Sequence, residues 1–227
     1  MPNVSRNRPL AVLAAAALTF SSGAALAEVN ILTAKAEPAT VDALTPAETA
    51  ALNAPQALPD IIEGRADAPE TIIEYASMTC SHCAAFHKEV WPALKAKYVD
   101  SGKAKFVLRE FPLDPLAIAA FMLARCAGPD KRDAVLDRLF DRQADWAFAE
   151  DPLPRLKAEV EAAGVAEAEV NACLKDQKLL DQVKSVRAVA SQKLKVDSTP
   201  TFFVAGKRLA GEHSLDRFDG ILAPAAK

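Results

Sequence analysis

The sequence lacks a strong excess of either charge, because 27 Lys and Arg residues stand against 30 Asp and Glu residues in a chain of 227. It also lacks, after residue 27, any uncharged apolar run of the roughly 18 residues that a transmembrane helix requires. Proteins that bind nucleic acid or anionic membranes usually carry a basic face. The sequence therefore predicts a soluble mature protein with no nucleic-acid partner.

Histidine and cysteine are scarce, with three and four residues respectively. Cys80 and Cys83 have a spacing that also occurs in zinc sites, and His87 follows on the same predicted helix. A structural zinc ion needs four ligands, but no second C-x-x-C or H-x3-H motif follows. No metal site is predicted, although zinc or copper binding and an inert structural disulfide remain as alternatives.

The segment Cys80-Ser81-His82-Cys83 opens an amphipathic helical pattern. Apolar residues recur at helical steps after it, and this stripe extends back to Cys83, which we expect to face the core. The stripe consists of Phe86, Val90, Leu94 and Tyr98. Cys80 lies at the helix N-terminus, where backbone N–H groups lower a cysteine pKa to roughly 3.5–7.5. The pattern predicts a redox pair with Cys80 as nucleophile and His82 as a further stabiliser of its thiolate.

An acidic residue interrupts the apolar run before this motif. The run Thr71–Ala76 predicts a strand, and Glu74 lies inside it, six residues before Cys80. Glu74 could lie beneath the disulfide and relay a proton to or from Cys83. A charge that faces water from an edge strand is an equally valid interpretation, so both stay open.

The N-terminal part has the composition of a leader followed by a linker. Residues 1–27 combine Arg6 and Arg8 with an apolar segment and Ala25-Leu26-Ala27, which predicts a secretory signal peptide rather than a membrane anchor. Residues 28–59 are rich in Ala, Pro and Thr and predict a flexible lead-in. A short helix over Pro46–Leu52, capped by Thr45, is the alternative.

The remaining pattern predicts a strand, a helical segment, a hairpin and a closing helix. The strand is Ala104–Phe111, and residues 115–194 predict an inserted helical subdomain interrupted by Pro and Gly. Cys126 and Cys173 both end helices there, and a leftover pair in an exported chain is more often bridged than free. Two buried thiols are the alternative.

Two strands joined by an Ala-Gly turn follow Pro200, and Leu215–Leu222 predicts the final helix before a tail over 223–227. Proline directly before a strand removes a ladder donor and suggests a cis bond.

With Cys80-Ser81-His82-Cys83 opening a helix and Thr199-Pro200 opening a late strand, the chain resembles the thioredoxin superfamily, and within it the DsbA-like exported thiol oxidases. The resemblance covers about residues 60–222 and implies an α/β thioredoxin fold with an inserted helical subdomain. It also implies a cis Pro200 against the redox disulfide and a Thr199 backbone that binds an extended substrate. Many such oxidases have Pro-His between the cysteines, where this chain has Ser81-His82.

The function implied by this resemblance is a periplasmic thiol:disulfide oxidoreductase that donates its Cys80–Cys83 disulfide to reduced exported proteins. It implies no cofactor, a quinone-linked membrane partner of the DsbB type as reoxidant, a monomer, and a second, structural disulfide between Cys126 and Cys173. An isomerase or reductase of the same fold is one alternative. A metal- or peptide-binding exported protein is another, from a different class.

Overall fold

The computed structural model describes residues 40–211 and 213–225, in which six strands form one sheet in the order β1-β6-β5-β3-β4-β2. The central strand β3 runs parallel to β4 and antiparallel to β5. The strands are β1 Thr40–Ala43, β2 Ile62–Glu63, β3 Glu70–Ala76, β4 Ala104–Glu110, β5 Thr201–Val204 and β6 Lys207–Ala210. Residues 72–76 of β3 are all buried. The loop that leads to Cys80 therefore begins at a strand in the core.

Helices cover both the crossover between β3 and β4 and the long connection between β4 and β5. Two further helices lie outside these connections, α1 before β2 and α10 after β6. The helices are α1 Pro46–Asn53, α2 Ser81–Glu89, α3 Trp91–Leu94, α4 Pro115–Cys126, α5 Pro129–Asp141, α6 Gln143–Trp146, α7 Pro152–Ala162, α8 Glu167–Cys173, α9 Gln177–Leu194 and α10 Leu215–Ala225. In the described residues, none of these helices has the length and apolarity needed to cross a membrane.

The helical segment follows the Pro and Gly boundaries of the sequence. Asp114 caps α4 by accepting a hydrogen bond from the Ala117 amide at 2.8 Å. Gly128 has a φ of 78° between α4 and α5, a conformation that a residue without Cβ adopts at no steric cost. The structure thus places helices α4 to α9 between β4 and β5, as the sequence predicts.

The prediction of a flexible lead-in over 28–59 is wrong for residues 40–59. Strand β1 pairs with β6, and Thr45 and Glu48 form a reciprocal capping box at the start of α1. Leu52 and Leu58 are buried, and α1 packs against α9. The box and the burial of these two leucines stabilise an ordered segment. Residues 28–39 and the predicted signal peptide lie outside the described residues.

The helix that begins after Cys80 is divided, as Pro92 predicts. Helix α2 ends at Glu89, α3 follows, and a turn of π-helix spans Lys95–Val99 before Gly102 at φ 74°. At the other end, the prediction of a tail over 223–227 is wrong at 223–225, because α10 continues to Ala225. The apolar stripe ends at Leu222, so the pattern gives no signal for these residues.

Candidate active site

The Cys80–Cys83 motif follows strand β3 and lies at the carboxyl edge of the sheet. A turn over Ser77–Thr79 follows β3, in which the Cys80 amide donates to the Ser77 carbonyl oxygen at 3.1 Å. Cys80 is the N-cap of α2 and remains partly exposed, whereas Cys83 is fully buried in the core. The two thiols therefore have opposite access to solvent.

The Cys80 thiol lies in an environment that favours its ionised form. The hydrogen bond from the Cys83 thiol is the main cause that lowers the pKa of Cys80 to about 5, with further lowering by Thr199 and by the backbone N–H groups of Cys83 and His82. Partial burial opposes this effect. Cys80 is thus mostly thiolate at neutral pH.

Cys83 has the opposite character. Burial is the main cause that raises the pKa of Cys83 well above its ordinary value, and the Cys80 side chain and the Glu74 carboxylate raise it further. Cys83 therefore holds a proton under conditions in which Cys80 has lost one. A partly exposed thiolate can react with groups from outside the protein, whereas a buried thiol can react only within the molecule.

His82 is exposed on the first turn of α2. Its effect on the Cys80 pKa comes through its backbone N–H group, which points toward the sulfur as expected at a helix N-terminus. An effect of the His82 imidazole on the thiolate stays a prediction.

Glu74 lies fully buried on β3, and its Oε2 atom is 2.8 Å from Nε2 of His87 on α2. The edge-strand interpretation of Glu74 is wrong, because β3 has β4 and β5 on its two sides. The carboxylate interacts electrostatically with Cys83. Sequence analysis considered His87 only as a metal ligand and missed this pair, since the two residues belong to different elements.

The segment before β5 lies against the redox motif. The Thr199–Pro200 peptide bond is cis, and the Thr199 carbonyl oxygen is 3.2 Å from Cys80 Sγ. The pairing of β3 with β5, in which Tyr75 faces Thr201, brings these distant segments together. Pro200 itself is buried. Thr199 and Cys80 are therefore neighbours, and both are partly exposed.

Gln143, a residue that sequence analysis did not select, holds the loop that carries Cys80. Gln143 on α6 is buried, and its Nε2 atom donates to the carbonyl oxygens of Met78 and Cys80 at 2.8 Å and 3.0 Å. Thr79 also donates to Asp114, the cap of α4, at 2.5 Å. The helical insertion therefore positions the loop through two separate contacts. Because Gln is common on exposed helical faces, its sequence context carries no signal of this role.

Cys126 and Cys173 form a disulfide that joins the C-terminal ends of α4 and α8, with Cα atoms 6.1 Å apart. The two cysteines of the C-x-x-C motif are free thiols. Within residues 40–211 and 213–225, no group of three or more His, Cys, Asp or Glu side chains is arranged to hold a metal ion. His87, which the metal alternative requires, instead contacts Glu74.

The sequence profile of the thioredoxin family matches residues 56–223, which is most of the chain. The chain belongs to the thioredoxin family. This family membership confirms the predicted thioredoxin fold with its helical insertion, and the strand order around β3 agrees with it.

Other members of the thioredoxin family provide closer comparisons. The chain is 33% identical over 149 residues to a protein of Rickettsia bellii that is provisionally named a protein-disulfide oxidoreductase, and 31% identical over 148 residues to one of Rickettsia typhi. These matches cover 65% of this chain but only 57% and 55% of the two relatives. The chain thus spans little more than half of the length of these relatives.

Solved structures show the same resemblance. Alpha-DsbA1 of Wolbachia pipientis superposes with a TM-score of 0.70 at 28% identity, over 79% of this chain and 96% of that one. BdbD of Bacillus subtilis superposes with a TM-score of 0.66 at 20% identity, over 74% and 92% of the two chains, which shows a shared fold. The chain is therefore a DsbA-like member of the thioredoxin family, similar to thiol:disulfide oxidoreductases.

Proposed function

We propose that this chain is an exported dithiol oxidase, which donates a Cys80–Cys83 disulfide to reduced proteins. The observation that supports the proposal is the contrast between a Cys80 with its pKa lowered to about 5 and a buried Cys83 with its pKa raised. A stabilised thiolate favours the reduced pair over the disulfide. Each unit of the pKa corresponds to roughly 30 mV in the two-electron potential, so this arrangement favours oxidation of a client.

The reaction begins with the oxidised enzyme. A client thiolate attacks Cys80 Sγ, the Cys80–Cys83 bond breaks, and Cys83 leaves as a thiolate that must take up a proton because it is buried. A second client thiolate then attacks the client sulfur of the mixed disulfide. Cys80 leaves as a thiolate, the client carries the new disulfide, and the enzyme pair is reduced by two electrons.

The site residues take distinct roles in this proposal. Cys80 is the attacked sulfur, Cys83 the resolving one, and Glu74 exchanges a proton with Cys83. Thr199 and Pro200 bind the client backbone beside Cys80, where an extended chain adds main-chain hydrogen bonds without regard to its side chains. His82 contributes through its backbone N–H group. The Cys126–Cys173 disulfide is structural.

The cellular setting is part of the same proposal. Residues 1–27 act as a signal peptide, so the mature protein works in the periplasm as a monomer on reduced exported proteins. Residues 60–222 form the catalytic domain. Continued turnover requires an electron acceptor, and the resemblance to DsbA-like oxidases supports a quinone-linked membrane protein of the DsbB type in this role.

The test is the equilibrium of the Cys80–Cys83 pair with glutathione at neutral pH, measured by alkylation and mass spectrometry, together with oxidation of a reduced two-cysteine peptide. The oxidase proposal expects a potential well above −200 mV, in the range of the strong oxidant DsbA. The Cys80→Ser variant, which keeps the second disulfide, is the matched control. A potential near −270 mV, as in reducing thioredoxins, would assign the chain to the reductase alternative.

A further inference from the structure

Because Cys83 is buried, its thiol cannot exchange a proton with solvent directly. Cys83 takes up a proton when it leaves the disulfide and loses one when it attacks the mixed disulfide during reoxidation. Its side chain has no exposed surface. A proton must therefore pass through neighbouring groups in both directions, whichever direction of exchange the cell uses.

Glu74 and His87 are a buried titratable pair that is coupled to Cys83 through Glu74. Glu74 interacts electrostatically with Cys83, and its Oε2 atom lies 2.8 Å from His87 Nε2. The other atoms of this pair, Glu74 Oε1 and His87 Nδ1, are buried and have no hydrogen-bond partner among the described residues. Each side chain thus has one atom that joins the pair and one that is available for a second contact.

The His87 ring is held in a fixed orientation. It stacks on Phe140 of α5, with ring centroids 4.1 Å apart and an angle of 11° between the planes, and it also contacts Trp91 and Phe106. A ring that is clamped in this way presents its two nitrogens in opposite directions. Imidazole can accept a proton on one nitrogen and release a proton from the other.

Two acidic residues on neighbouring elements interact with the histidine of this pair. Glu63 on β2 and Asp137 on α5 both interact electrostatically with His87, and Asp133 of α5 and Lys95 of the π-helix act on both acids. Burial is the main cause that raises the pKa of Glu63 to about 7, with Asp133 and Asp137 raising it further. Glu63 is half-exposed and Asp137 is exposed, so this acidic cluster has access to solvent.

We propose that Glu74 and His87 form a proton relay between Cys83 and the solvent-accessible cluster of Glu63 and Asp137. The inference rests on the proposed thiol–disulfide exchange, but not on its direction. When client attack releases Cys83 as a thiolate, Glu74 donates a proton to the sulfur and is reprotonated through His87. When Cys83 attacks Cys80, Glu74 accepts the thiol proton and passes it outward through His87 to the acids. No electron moves in the relay.

The test isolates the step in which Cys83 acts. Reduced protein is mixed with saturating oxidised glutathione, so that attack by Cys80 is fast, and acid-quenched samples are analysed by mass spectrometry for the glutathione adduct on Cys80. The decay of this adduct reports resolution by Cys83. The variants are His87→Gln, which retains a side-chain amide donor for Glu74 but cannot titrate, and Glu63→Gln at the outer end.

We expect His87→Gln to slow resolution at least about tenfold near pH 7 and to remove an ionisation from its pH profile. Glu63→Gln should shift that profile while preserving the fold. The alkylation rate of Cys80 and its pH dependence should stay unchanged in both variants. Lys88→Gln, an exposed change on the same helix, is the matched control and should behave as the unmodified protein.

An unchanged resolution rate and pH profile in a folded His87→Gln protein would overturn the relay. If circular dichroism shows that His87→Gln is unfolded, Glu63→Gln decides the question, and an unchanged profile in that variant counts equally against the relay. A reducing potential of the Cys80–Cys83 pair would refute the oxidase proposal alone, because the resolution step is measured with glutathione in either case.

Discussion

Gln143 donates its side-chain amide to the carbonyl oxygen of Cys80 at 3.0 Å, across 63 residues of sequence. The same amide donates to Met78 at 2.8 Å, so one side chain of the helical insertion holds both the middle of the turn over Ser77–Thr79 and Cys80 after it. The insertion is thus part of the active-site support and not only a cover for the sheet.

Replacement of Gln143 by Leu should loosen this turn. The buried carbonyl oxygen of Met78 loses the amide donor, so we expect the free energy of unfolding to fall by about 1–3 kcal/mol. The measurement is urea unfolding, with alkylation of Cys80 as a second readout. Gln182→Leu is the matched control, because Gln182 donates to Ala57 at the surface and its loss should cost much less. Equal effects of the two changes would contradict the role of Gln143.

The pKa of Cys80 should depend more on Cys83 than on the imidazole of His82. Cys83→Ala removes the hydrogen bond that contributes most to the lowered pKa, so the pKa should rise from about 5 toward its ordinary value. His82→Ala keeps the backbone N–H group and should change the pKa less. Thiolate absorbance at 240 nm against pH measures both variants. A larger shift in His82→Ala would show that the imidazole acts directly.

Stability of the reduced protein should vary with pH in a defined direction. The folded pKa of Cys80, about 5, lies below the unfolded value near 9.0. The ionisation of Cys80 therefore makes its whole contribution to the free energy of unfolding above pH 9, and this contribution is lost as the pH falls through 5. Cys83 has a raised folded pKa, so its contribution is present below pH 9 and is lost as the pH rises further. The advantage of the reduced over the oxidised form should therefore grow from pH 5 to about pH 8 and decline above pH 9.

Urea midpoints of both redox forms at several pH values test this expectation. The comparison belongs in a Cys126→Ala, Cys173→Ala background, so that reductant acts on one disulfide only. At neutral pH the reduced form should be the more stable one. A more stable oxidised form would mean that Cys80–Cys83 acts as a structural bond.

Loss of the Cys126–Cys173 disulfide should destabilise the protein without removing its redox activity. The bridge closes a loop with a sequence separation of 47, for which the chain-entropy model gives about 4 kcal/mol. We expect the double Ala variant to unfold at lower urea and still to exchange disulfides through Cys80. Mass spectrometry of non-reduced peptides from the unmodified protein supplies the control. Two alkylated thiols at these positions would contradict the pairing.

The sequence supports the redox motif and the helical boundaries because both depend on local chemistry. Cys83 lies on the apolar stripe of α2, and Gly128 and Pro129 mark a break that backbone sterics require. The order of strands around the crossover follows from the same local signals. Predicting these features does not require knowing which residues distant in sequence are in contact.

The features that the sequence could not predict depend on long-range contacts. Strand β1 has only four residues, all of them exposed, so only its pairing with β6 identifies it. His87 on α2 contacts Glu74 on β3, and Gln143 in the helical insertion donates to the carbonyl oxygen of Cys80. From the sequence alone, the side chains of His87 and Gln143 could equally well face solvent. Tertiary packing, rather than local preference, determines their roles.

The pairing of Tyr75 on β3 with Thr201 on β5 also constrains how the protein matures. In a chain that emerges N-terminus first, three cysteines become available before Cys173 and before the strand that shields Cys80. During that interval Cys126 has only non-native partners, and any bridge to it must be broken again by exchange. Biogenesis of the protein therefore requires thiols that stay reduced, or are reshuffled, until its last third has been made.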